Sequence, residues 1–176
     1  MTSTHALPFA NPQPRWISAL IWGGCALFML ALLVSAVFDP SIRLLHTLQA
    51  LIYVAAIVLA RRRSAWGYGA GFFIAAFWNY INLFVTTFIR GGLRQLGILF
   101  DTGQAPRPDL LIALVAASGH FLLIGGCIAG FARSRPNAGA WVKFVAGGVL
   151  AVSYFVIIIV TTGRQYIGLL HRVFRV

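Results

Sequence analysis

From Trp16 onward, long apolar runs alternate with short polar breaks. The runs cover residues 16–38, 40–60, 65–89, 109–132 and 140–162. A helix needs about 20 apolar residues to cross ~30 Å of hydrocarbon, so each run is long enough to span a bilayer. The pattern predicts an all-α, polytopic membrane helix bundle of about five transmembrane helices in one domain, residues 16–162. Residues 1–15, polar and holding Pro8, Pro12 and Pro14, are expected to be a flexible tail. They make a poor signal peptide, because Arg15 is the only basic side chain and the run after it is too long.

The breaks carry their own signals. Asp39-Pro40 offers a cap followed by a first-turn proline, and Pro108-Asp109 opens the fourth span in a similar way. Arg61-Arg62-Arg63-Ser64 is a very short basic turn, and Arg133 to Gly139 is another turn. The one long connection begins with Arg90 to Phe100. Its Leu93, Leu96 and Phe100 share a side away from Arg90 and Arg94, as in a helix lying in the interface. The basic segment 163–176 is read the same way, with Ile167, Leu170 and Phe174 largely opposite Arg164, His171, Arg172 and Arg175.

The third run organises the others. At about 100° per residue, Gly67, Gly71, Ala75, Asn79, Asn82 and Thr86 fall on one line. The first half lets another helix backbone come close; the second half must find polar partners, because lipid offers none. Gly147 and Ala151 make a second small-residue stripe on the fifth span, continued by Tyr154.

Composition agrees with a membrane domain: 60% of the 176 residues are hydrophobic and 10% are charged. A soluble domain carries about a quarter charged residues. The net charge of +11 does not point to nucleic acid, since the basic residues sit at the ends of the apolar runs, beside headgroups. Arg61, Arg62 and Arg63 are candidate contacts for anionic lipid. Five spans put the termini on opposite sides. Face A holds the N-terminus and the 61–64 and 133–139 turns; face B holds the rest. Trp16, Trp66 and Trp141 open the first, third and fifth spans at face A, as an aromatic belt does. Basic residues divide evenly between the faces, and the dense Arg61–Arg63 turn tips face A toward the cytoplasm. Heavy use of Ala, Gly, Leu and Arg leans toward a bacterial inner membrane.

Candidate chemistry is sparse. Glu is absent, and Asp39, Asp101 and Asp109 lie at the ends of spans or between them, so paired-acid catalysis within the membrane has no material. No phosphate loop, HExxH or Gly-x-Ser-x-Gly pattern occurs. No cofactor is indicated: His46 and His120 differ in depth by near 7 Å at ~1.5 Å per residue, which is awkward for two ligands on one haem iron. Cys25 and Cys127 share a depth but lack a CxxC. The candidate polar cluster is Asn79, Asn82, His120, Gln49 and Tyr53. His120 lies close to the midplane, at the depth of Asn79, and is expected to face protein and bond to the second or third span. Two functions fit: a structural, accessory or interaction subunit held by small-residue contacts, or a small oligomeric transporter or channel using the polar cluster. A homo-oligomer or a membrane-protein partner suits either.

Overall fold

The computed structural model describes residues 13–163 and 166–173, of which Leu169 and Leu170 only in their backbone. The proposed tail lies largely outside this range, as do Arg164, Phe174 and Arg175 of the C-terminal segment. The described residues form helices α1 (Arg15–Phe38), α2 (Arg43–Arg61), α3 (Ala65–Tyr80), α4 (Phe88–Thr102), α5 (Pro108–Arg133), α6 (Ala138–Thr162) and α7 (Ile167–Val173). No strand occurs among them. Five segments are long and apolar enough to cross a membrane: α1, Pro40–Arg61, Ala65–Val85, α5 and α6. The fold is an all-α bundle of membrane-spanning type.

Asp39 acts as the cap that the sequence predicts. Asp39 accepts from the Ser41 amide and hydroxyl, and Pro40–Ile42 winds as a 3₁₀ turn before α2 begins. Pro108 and Asp109 stand in the first turn of α5, with the Arg107 guanidinium gripping both oxygens of Asp109 at 3.0 and 2.7 Å. Asn137, unremarked in the sequence, caps α6 by accepting from the Ala140 amide.

The third span departs from its expected course to Ile89. Regular α-helix ends at Tyr80, Ile81–Val85 forms a π turn, and Thr87 takes a left-handed φ of 61°. The π turn slips the hydrogen-bond register by one residue, and the neighbouring side chains take up the slack. Asn82 Nδ2 donates to the Trp78 carbonyl at 2.9 Å, and the Thr86 hydroxyl donates to Asn82 Oδ1 at 3.1 Å. The chain then turns into α4, longer than the interfacial helix foreseen. α4 buries Ile89, Gly92 and Gln95 against the protein and leaves Leu93 and Phe100 exposed, as lipid contact requires.

Helix α3 packs on α2, α5 and α6, as its stripe predicts, while α1 packs on α5 and α2. A Cβ on Gly67 would strike Leu59 of α2, and one on Gly71 would meet Cys127 Sγ of α5 at 2.8 Å. Gly147 lies under the Trp66 backbone, and Ala75 and Ala151 are buried. The approach of α1 to α5 went unread in the sequence. A Cβ on Gly24 would stand 2.5 Å from the Gly119 carbonyl, and one on Gly119 would stand 2.7 Å from the Gly24 carbonyl. Two glycines facing each other let these backbones touch.

Candidate functional site

The candidate polar cluster divides into two groups. His120 on α5 is fully buried, and both ring nitrogens are engaged. Its Nε2 lies 2.7 Å from the Tyr53 hydroxyl of α2, and its Nδ1 lies 3.3 Å from Asn79 Oδ1 of α3. The amide oxygen accepts only, so Nδ1 carries the proton, and Nε2 accepts from the Tyr53 O–H. The ring is neutral, the form that hydrocarbon depth favours. Phe28 of α1 stacks on it at a centroid distance of 4.0 Å, and Trp78 meets it edge-on at 4.8 Å. Side chains from three other spans thus converge on one imidazole, which is fully buried. Asn79 Nδ2 is the one fully buried side-chain polar atom among the described residues without a hydrogen-bond partner.

Asn82 and Gln49 do not join His120. They line a cavity of about 480 Å³ that opens toward face B. The C-terminal ends of α1 and α6, the π turn, and the N-terminal ends of α2, α4 and α5 enclose it. Phe28 and Trp78, the rings that pack on His120, form its inner end, so the buried cluster is a floor and the cavity is blind. Asp39, Asp109 and Tyr166 stand among the residues of its mouth, and Leu32, Leu45, Ile112 and Phe155 among those of its walls.

The local chain explains this space. The third span leaves regular α-helix at the π turn, whose Ile81 and Asn82 line the cavity, while the close contacts of Gly67 with Leu59 and of Gly147 with Trp66 shut the bundle toward face A. Small side chains on the facing helices, Ala31, Ala113 and Ala116, widen the gap. Gln49 is 3% exposed, and its amide makes no hydrogen bond to any described residue. Half-buried His46 has Nδ1 at 3.0 Å from the Leu32 carbonyl, to which it donates, leaving Nε2 as an acceptor in the neutral ring.

Outside the spans, the shifts are local. The Asp39 carboxyl is held below its ordinary range, first by the Ser41 hydroxyl and then by the Ser41 amide. Burial pushes the Tyr166 phenol up. Cys25 and Cys127 are free and buried. Among the described residues no cluster of three or more His, Cys, Asp or Glu side chains is arranged to hold a metal ion.

The sequence reading took the amides, the imidazole and the phenol as one group because they share a depth range. It missed the cavity, which depends on a helix end that hydropathy does not show. The signal present was Thr86-Thr87, two β-branched residues where the stripe leaves the span, a poor place to continue a helix. No family model, curated protein or solved structure matches this chain, so its site is read from its own geometry.

Proposed function

We propose that this chain is a membrane-embedded accessory or interaction protein, a non-conducting bundle that presents a blind cavity at face B. The observation that carries this reading is the dry lock around His120. A conducting path needs polar side chains in contact with water from one face to the other, whereas here the midplane polar groups bond to each other under Phe28 and Trp78. The transporter reading takes Asn79, Asn82, His120 and Gln49 along one route, and their division into two groups supports the accessory reading over it.

The test is reconstitution into liposomes loaded with a pH-sensitive dye and, separately, a potassium-sensitive dye. The expected result is no flux of protons or potassium above protein-free vesicles. Flux that is lost in His120→Gln would overturn the accessory reading in favour of the transporter.

The membrane is proposed to be a bacterial cytoplasmic membrane, with face A inward. The supporting features are the Arg61-Arg62-Arg63 turn and the exposed Trp16, Trp22, Trp66 and Trp141, with Arg61 lying 5.7 Å over the Trp22 ring. These arginines suit the phosphates of anionic lipid. In native mass spectrometry, phosphatidylglycerol is expected to be retained in preference to phosphatidylcholine. Changing all three to Gln should abolish the preference; an unchanged preference would place the lipid contact elsewhere.

A further inference from the structure

The cavity at face B differs in charge from the rest of the molecule. The chain carries 14 Lys and Arg against three Asp. Yet among the described residues no Lys or Arg lines the cavity, while Asp39 and Asp109, two of those three acids, stand at its mouth. Asp109 is neutralised by Arg107 at 2.7 Å. Among the described residues Asp39 makes no ion pair: its Oδ1 takes both Ser41 bonds, and its Oδ2 accepts none from them. Those two bonds hold its pKa below the ordinary carboxylate value, so Asp39 is ionised at neutral pH.

A second, independent observation lies deeper. Gln49 is buried, lines the cavity, and has an amide that no described residue satisfies. Buried amides are almost always hydrogen-bonded, and one left free beside a cavity is a group waiting for a partner in it. A third is strain in the wall. The π turn and the left-handed Thr87 lie beside Asn82, Thr86 and Phe88 of the lining. A β-branched residue at positive φ is held there only by its surroundings, and such strain gathers at ligand sites. A volume of about 480 Å³ is within the range of small-molecule sites.

We propose that this cavity binds an amphipathic amine, with its protonated nitrogen at Asp39, its apolar body along the walls, and a hydrogen-bonding group within reach of Gln49. The absence of Lys and Arg from the lining disfavours a carboxylate or phosphate head, which would be desolvated without a counter-charge. Phe38 and Phe88 beside the mouth add ring faces that attract a cation. Asp39 and Gln49 are ten residues apart, which sets a ligand length of about 15 Å at ~1.5 Å per residue. The inference takes the face B cavity from the reading above, but depends neither on whether the bundle conducts nor on what the protein partners.

The experiment places the full chain in nanodiscs of zwitterionic lipid and measures saturable binding of three probes of equal chain length: decylamine, decanol and decanoate. Decylamine is expected to bind tightest and to raise the unfolding temperature. Asp39→Asn keeps a capping oxygen and removes the charge, and should weaken decylamine by about tenfold while leaving decanol unchanged. Ala113→Phe fills the cavity and should abolish binding of both. Equal affinity for decylamine and decanol, preference for decanoate, binding that survives Ala113→Phe, or no saturable binding at all would each overturn the proposal. The dye-flux measurement separates the two readings. No flux and no amine binding refutes the site and leaves the accessory reading standing; flux together with amine binding does the reverse.

Discussion

At the scale of single residues, His120 decides more than any other side chain. Its ring ties α5 to α2 through Tyr53 and to α3 through Asn79, and it stacks on Phe28 of α1. His120→Leu removes both bonds and strands the hydroxyl and the amide oxygen, a change expected to cost about 1–3 kcal/mol. Tyr53→Phe deletes a single hydroxyl, and intramembrane hydrogen bonds average roughly 0.6 kcal/mol, so its effect should be the smaller. Thermal unfolding in detergent checks the order; equal melting temperatures for wild type and His120→Leu would refute the lock. Asp39 acts differently, because its pKa is lowered in the folded chain. The stabilisation from its Ser41 bonds is therefore complete above the ordinary carboxylate pKa and is lost as the pH falls through the lowered value. Asp39→Ala should therefore narrow the loss of thermal stability on acidification from neutral pH, and an unchanged loss would show that the Ser41 bonds contribute nothing.

Among elements, the contact of α1 with α5 and that of α3 with α6 hold the bundle together by close backbone approach. Gly24→Ala drives a methyl against the Gly119 carbonyl and the Leu123 amide, neither of which can move without its helix. Gly23 and Gly125 sit in the same two helices with open space beside them. An alanine there should raise stability by as much as about 1 kcal/mol through helix propensity alone. Gly24→Ala is expected to lower the melting temperature while Gly23→Ala and Gly125→Ala raise it or leave it unchanged; a common direction for all three would show that the α1–α5 contact is not tight. The end of the third span stores strain instead. Thr87→Gly relieves a left-handed conformation that costs roughly 1–2 kcal/mol in an L-residue, so it should stabilise the chain. If that strain shapes the cavity, the same variant should bind decylamine more weakly.

For the whole molecule, five crossings place Gln13 and Gly163 on opposite faces. Reporters fused after Thr4 and after Val176 should accordingly report opposite compartments, and same-side signals would require one of the five helices to lie in the membrane without crossing it. The open end of the bundle faces the side that carries α4 and α7. On the proposals above, ligand and partner should approach from face B, with the Trp and Arg belt at face A. Cross-linkers at exposed α4 positions such as Leu93 and Phe100 should capture a neighbour if the protein works as a subunit. Capture at face A alone would assign the interaction surface to the opposite end.

Hydropathy and spacing by themselves determined the class of this protein, the crossings and the inward-facing stripe of the third span, because a bilayer forces apolar length and small-residue contacts into the linear pattern. Depth along each helix is enough to set His120 level with Asn79. Rotation and tilt are not in the pattern. Tertiary packing chose Gly24 and Gly119 for the approach of α1 to α5, although Gly23 and Gly125 are the same residue type in the same two helices. It joined Tyr53 to His120 and kept Asn82 apart. It also ended the third span at a π turn, since only the neighbours of Thr86 and Thr87 determine whether a strained turn is held. The cavity follows from that turn: it is a space between helix ends, and its existence depends on how five separately legible helices lean against one another.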